Sequence, residues 1–439
     1  MNRWLTRKLW LNVHLYLALV VGFIFAIIGL TGSISVYREE LDALLNPQLV
    51  VENPQGEFQS LDRIMAAVRN AHPDRYGEWT LEMPSSPNGM VTVWFEKPKE
   101  TFFERYAPLM VSVNPYTAEV VANRFWGRTI TTWLLDWHTH LHYDEMGWNI
   151  VGYCGALLIV SVLSGIYLWW PGVKNISSVL QVRVRLGLIR LVFDLHRVMG
   201  LCSAGALLIL AFTGFQLSFP SLLEEISGSS GMAHGGTGES ISSTAIPNDH
   251  PTVLEAAEFV ARGPFQTAEL RRVTTPMGDS GVYRVNLRQK GEINHRHPYT
   301  TVWVDRWSGQ IREVRDPKSF STGQKVITWM WPLHTGEALG SIGRFCWFLA
   351  GQSLFFLYVS GLMRWLHSKG WIKDRAIHVL DSTEIKLWIK NAVYRLLVVI
   401  DRMMNWLARK GAPLVVGMVN ELSKWFEKGL GLYLSKIKK

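Results

Sequence analysis

Long apolar runs alternate with long polar stretches along this chain. Four runs are apolar over the roughly 20 residues that a bilayer crossing takes; they cover about 13–37, 147–170, 194–219 and 340–366. Two segments of mixed polarity separate the first run from the second and the third from the fourth. Each opens with a polar helix candidate, at 61–71 and 253–261. Each continues in short alternating runs such as Val91-Thr-Val-Trp-Phe95 and Val282-Tyr-Arg-Val-Asn-Leu287, the period of half-buried strands. Each then turns on polar residues, with Val113-Asn114 aligning with Val304-Asp305 and Glu119-Val120 with Gln310-Ile311. The pattern predicts a strand, a tight turn and a strand in both. The unit is a helix, a small α+β outer module and a helix, used twice.

The predicted fold is that of a membrane protein, mainly α with α+β outer modules around a four-helix transmembrane bundle. Its parts are a first membrane helix within 1–37, a module at 38–140, a second helix within 141–170 and a loop at 171–193. A third helix at 194–219, a second module at 220–335, a fourth helix within 336–366 and a tail at 367–439 complete it. Residues 227–238, rich in Gly and Ser, read as a flexible linker. In the tail, 391–407 and 415–432 read as amphipathic helices on the inner leaflet, because Arg395, Asp401 and Arg402 interrupt the first of them.

Charge sets the orientation. Arg3, Arg7 and Lys8 precede the first span, Lys174, Arg183, Arg185 and Arg190 fill the short loop, and Lys369, Lys373 and Arg375 follow the fourth span. The positive-inside rule then places both termini and that loop in the cytoplasm and both modules outside. Of 439 residues, 48% are hydrophobic and only 18% charged, so the net charge of +9 is a topology signal and not a nucleic-acid surface. The first span is expected to be retained, not cleaved as a signal peptide, because the third span echoes it. Cys154, Cys202 and Cys346 all fall within spans and read as small core residues.

The candidate chemistry lies in four histidines. His14 and His196 each start an apolar run and precede Thr-Gly by seventeen positions (Thr31-Gly32 and Thr213-Gly214). His138 and His334 each precede Ser-Gly by twenty-six positions (Ser164-Gly165 and Ser360-Gly361). Given the span directions, His14 and His196 share the inner depth, and His138 and His334 the outer. Two neutral imidazoles at one depth on neighbouring helices can hold haem iron axially. Two such pairs imply two b-type haems, with Gly22, Gly29, Gly32, Gly205 and Gly214 offering close-approach positions. The bland alternative for a single interfacial histidine is an anchoring or snorkelling role. It does not explain two pairs in register at opposite faces.

Other residues are weaker candidates. His138, His140 and His142 form an H-x-H-x-H pattern that on a strand would share a face for a transition metal; a polar rim or solvated loop competes with that reading. His367 is an alternative inner-side ligand, and His295 and His297 read as a surface loop. Trp133 and Trp329 each precede an outer histidine by five positions and fit an interfacial belt or a porphyrin edge. Arg38, Arg197 and Arg364 lie near span ends, positioned for haem propionates or, for the latter two, lipid phosphate.

Three stretches carry a family resemblance: Leu141-His-Tyr-Asp-Glu-Met-Gly-Trp-Asn-Ile-Val-Gly152 through Leu163-Ser-Gly-Ile-Tyr-Leu-Trp-Trp-Pro-Gly172, His196-Arg-Val-Met-Gly-Leu201, and Asn114-Pro-Tyr-Thr-Ala-Glu119. Over about residues 1–370 the chain resembles the PepSY-associated transmembrane family. The resemblance implies a bacterial inner-membrane protein of iron uptake, in the branch of di-haem reductases that release iron from siderophores in the periplasm. Its haem histidines would fall on His14, His138, His196 and His334. Gly172 stands where a basic residue is common in the family, and the long tail is extra.

The expected mechanism carries electrons from the inner haem to the outer haem and on to a ferric siderophore held between the two outer modules. No G-x-G-x-x-G lies between a strand and a helix, so the donor is expected to be quinol or a separate cytoplasmic reductase. A competing reading is a non-redox regulator that restrains an envelope peptidase through PepSY-like modules. A transporter built from repeats is a third, but the spans lack Pro-broken midsections and mid-membrane charges.

Overall fold

The structure is a computed structural model that describes residues 6–171, 181–183, 187–227, 241–246 and 249–374. The proposed tail helices and most of the Gly/Ser linker lie outside the described residues. Two helices, α1 (Arg7–Val20) and α2 (Gly22–Ser35), are apolar enough to cross a membrane only as a pair, and they bend by 62° at their junction. Gly22 sits at this break, where a Cβ would lie 2.8 Å from the Tyr358 ring. A short helix, α3 (Arg38–Leu45), then leads into the first module.

That module comprises α4 (Leu61–Ala71) and strands β1 (Thr80–Glu82), β2 (Val91–Phe95), β3 (Leu109–Val113) and β4 (Val120–Phe125). Helices α5 (Ile130–His140) and α6 (Asp144–Trp169) follow, and then α7 (Leu188–Ser218) and α8 (Pro220–Ser227). The second module comprises α9 (Leu254–Arg262), β5 (Glu269–Thr274), β6 (Val282–Arg288), β7 (Thr301–Asp305) and β8 (Ile311–Arg315). Helices α10 (Thr322–Thr335) and α11 (Gly340–Ser368) complete the described chain. Asp144–Trp169, Leu188–Ser218 and Glu337–Ser368 are each long and apolar enough to cross a membrane. Only 22–28% of their apolar windows is buried within the protein, so most of that surface needs an apolar solvent.

The two modules are not separate bodies. They form one antiparallel sheet in the order β4-β3-β2-β1-β5-β6-β7-β8. β1 pairs with β5 at the centre, Thr80 opposite Thr274, with their hydroxyls 3.0 Å apart. One apolar core lies under α4 and α9 and draws Ile64, Val68, Leu81 and Val111 from the first half and Ala257, Val273, Val285 and Val302 from the second. The Asp62 carboxylate of α4 accepts hydrogen bonds from the Leu254 and Glu255 amides, capping α9 from the other module. The expectation of two separate modules with a chelate between them meets one sheet and one core common to both halves.

Two smaller expectations are also corrected. Cys154 is buried, but Cys202 and Cys346 are exposed and so are not core residues. A Cβ on Gly205 would meet nothing within 4 Å, whereas Gly22, Gly29, Gly32 and Gly214 do sit at close approaches.

Candidate functional site

Two short helices of the same design carry His138 and His334. Thr129 and Ser321 start α5 and α10 with reciprocal capping boxes, and left-handed residues end both, Leu141 (φ 54°) and Gly336 (φ 83°). The H-x-H-x-H pattern is thus helical at His138 and His140, so those two do not share a strand face. His140 Nε2 instead lies 3.4 Å from Asp136, and His142 Nε2 donates to the Trp133 carbonyl at 3.0 Å. Among the described residues, no group of three or more His, Cys, Asp or Glu converges as a metal site.

The four registered histidines meet in two pairs. The rings of His14 and His196 have centres 6.5 Å apart, and those of His138 and His334 5.9 Å apart. An imidazole nitrogen ligates a metal at about 2 Å, so two imidazoles sharing one ion would have ring centres roughly 6 Å apart. Both pairs lie near that spacing. The pairs are also well separated: His196 and Thr213, which contacts His334, are seventeen residues apart on α7, about 25 Å at 1.5 Å per residue.

Each ring rests in a socket on a neighbouring helix. His14 Nδ1 lies 3.0 Å from the Ser161 carbonyl and 3.1 Å from Ser164 Oγ, while His196 Nδ1 lies 2.8 Å from Ser360 Oγ. His138 Nδ1 donates to the Ile28 carbonyl at 2.8 Å, and His334 Nδ1 lies 2.9 Å from Thr213 Oγ1. The hydroxyl protons are already committed. Ser360 donates to the Phe356 carbonyl, Thr213 to that of Ile209, and Ser164 to that of Ser161. Those oxygens can therefore only accept from the ring, so Nδ1 carries the proton on all four histidines and Nε2 holds the lone pair. This tautomer and this kind of partner are what a metal-ligating histidine needs.

A glycine lies beneath each ring. A Cβ would stand 2.5 Å from His138 Cε1 if built on Gly32, and 3.1 Å from His14 Cε1 on Gly165. It would stand 3.1 Å from His334 Cε1 on Gly214, and 3.5 Å from His196 Cε1 on Gly361. The glycines of the Thr-Gly and Ser-Gly dipeptides thus lie in all four sockets, and the hydroxyls of Ser164, Ser360 and Thr213 in three of them. Sequence reasoning named Gly32 and Gly214 as close-approach positions but used the hydroxyls only as register marks.

Among the described residues, the buried indole N–H groups of Trp137, Trp169 and Trp331 have no acceptor. Buried groups of this kind are normally satisfied. Trp137 adjoins His138, and Trp331 precedes His334 by one turn. These donors suit the carboxylates of a porphyrin, so the residues present fit two b-type haems in both ligand spacing and polar surroundings.

The remaining candidates fall elsewhere. Arg197 stacks over Phe193 and lies 3.6 Å from the buried Asp194. Trp133 and Trp329 are exposed, as belt residues are. Arg364 and His367 lie in the last turns of α11, Arg364 exposed.

Arg38 belongs to a buried charged layer between the sheet and the helix ends that sequence reasoning missed. It lies over the Trp126 ring at 5.1 Å and makes no ion pair among the described residues. Burial, with Arg296 nearby, pushes its pKa down to about 10. In the same layer Arg296 pairs with Glu39 at 2.7 Å, and Arg272 with Glu82 at 3.0 Å. Burial acts to raise Glu82, but Arg272 and Arg296 outweigh it and hold its pKa at about 2.

A family model described as PepSY-associated TM region matches residues 11–368. No curated protein shows a significant match to the chain.

Proposed function

The chain belongs to the PepSY-associated TM region family, and from that premise we propose that it is a transmembrane ferric-chelate reductase with two b-type haems. His14 and His196 would hold one, and His138 and His334 the other. In this reading the chain is a tandem duplication with four spans, the bent α1–α2 pair being the first. It lies in the bacterial inner membrane, with both termini in the cytoplasm and the shared sheet in the periplasm. The substrate is a ferric siderophore, and its release follows from chemistry: ferrous iron binds siderophore oxygens far more weakly than ferric iron.

The haem supplies reversible one-electron chemistry at iron. The chain's residues supply the frame. The Ser164, Ser360 and Thr213 hydroxyls and the Ile28 carbonyl fix each ring, and the glycines admit the ring edge. Trp137 and Trp331 offer donors to propionates, and Arg38, which makes no direct ion pair among the described residues, offers a cation to an anionic chelate at the outer end. One observation carries the reading: two histidine pairs with ring centres near 6 Å and all four Nδ1 atoms committed.

The test is stoichiometric reduction. Protein reduced with dithionite and freed of excess reductant is mixed anaerobically with a ferric siderophore and a ferrous-specific chromogenic chelator. The reading predicts reoxidised haem and about one chelated ferrous ion per electron. Haem that stays reduced, with no ferrous iron trapped, refutes it.

A further inference from the structure

The proposed function leaves the electron source open, and one cavity bears on it. A cavity of about 330 Å³ is lined by Arg7, Leu163, Ile166, Tyr167 and Trp170, within the range of small-molecule sites, about 300–1,000 Å³. Leu163, Ile166, Tyr167 and Trp170 follow the i, i+3, i+4, i+7 spacing of one helix face. Leu163, Tyr167 and Trp170 are each about half exposed on the apolar helix α6, so the cavity opens sideways to lipid. Arg7 closes its polar end, donating from Nη2 to the Leu168 carbonyl at 2.7 Å.

This cavity adjoins the inner histidine pair. Ser164 and Gly165, the socket of His14, lie between Leu163 and Ile166 in the same turns of α6. Trp10, one turn before His14, packs its ring 6.3 Å from that of Tyr167. A helix with its side chains is only about 10–12 Å across, so a molecule in the cavity lies within about one helix width of His14. The lining combines apolar and aromatic side chains with a single guanidinium and a phenol. Apolar and aromatic side chains make up four of its five lining residues, which suits an apolar ring with a polar edge.

We propose that this cavity takes a lipid-soluble hydroquinone, and that quinol is the electron donor of the reaction proposed above. The inference rests on that reading. The balance is one quinol to two chelates. The quinol gives up two electrons and two protons and becomes quinone. Two ferric chelates each gain one electron and become ferrous, and both protons leave to water at the Arg7 end.

The test uses the full-length haem-loaded protein in detergent. A short-tailed ubiquinol is added anaerobically, and the α-band is followed against time. The wild type should be reduced, and Leu163→Trp, which fills the cavity, should slow that reduction by about tenfold or more. Tyr167→Leu should also slow it. Haem content and the dithionite-reduced spectrum should match the wild type in both variants, which reports intact folding. If dithionite reduces the wild type and ubiquinol does not, the cavity holds only lipid and the proposal is overturned. Equal ubiquinol rates in the wild type and Leu163→Trp overturn it as well. A protein with no haem at all refutes the underlying reductase reading instead.

Discussion

Gly32→Ala should cost the protein its outer haem and leave the inner one in place. A Cβ at residue 32 would lie 2.5 Å from His138 Cε1 and 2.6 Å from its Nδ1. Non-bonded carbons prefer about 3.5–4.0 Å, so the ring must retreat by roughly 1 Å. That retreat breaks the 2.8 Å bond from Nδ1 to the Ile28 carbonyl. A ligand held at about 2 Å has no slack of that size. The helix itself is not weakened, since Ala is favoured over Gly in a helix by about 1 kcal/mol. The control is Gly361→Ala, where the added Cβ would stand 3.5 Å from His196 Cε1, an ordinary contact. Haem per chain, measured by pyridine haemochrome against protein concentration, should fall from about two to about one for Gly32→Ala and stay near two for Gly361→Ala. Two haems in both variants, or equal loss in both, would refute the socket geometry.

Four further outcomes follow, three from the histidine contacts and one from the charged layer. Thr213→Val removes the acceptor of His334 Nδ1 and should weaken outer-haem affinity by about 10–100-fold in a haem titration. Thr31→Val should change little, because the Thr31 hydroxyl serves the Ile27 and Ile28 carbonyls instead. His138→Ala and His334→Ala should each remove the same one haem, with no further loss in the double variant, as expected for residues acting as one site. Glu82 is held near pKa 2, below its unfolded value of about 4.5, so its pairing contributes stability above pH 4.5 that is lost as pH falls toward 2, about 3 kcal/mol in all. Glu82→Gln should start with a lower Tm by circular dichroism and fall less steeply over that window; a parallel slope would count against the pairing.

The apolar runs and the registered histidines were legible because both are periodic. Apolar runs declare themselves by length, and the sequence repeats His and Ser/Thr-Gly at fixed offsets. The 62° break at Val21 and Gly22 was not legible, and the Tyr358 ring that Gly22 packs against lies more than three hundred residues away. Nor was the fusion of the modules, since alternation identifies β1 and β5 as strands without saying which edges meet. His138 and His140 were ambiguous between strand and helix because a three-histidine alternation outweighs the Thr129 capping signal over so short a run. The charged layer around Glu82 and Arg296 joins residues from three elements, and only the sheet brings them together.

The most direct measurement is the absorption spectrum of purified protein before and after dithionite, with haem counted per chain. The account predicts a reduced b-type α-band with about two haems per chain, and about one when His14 or His334 is changed to alanine. A colourless protein, or a haem count unmoved by either substitution, would contradict it.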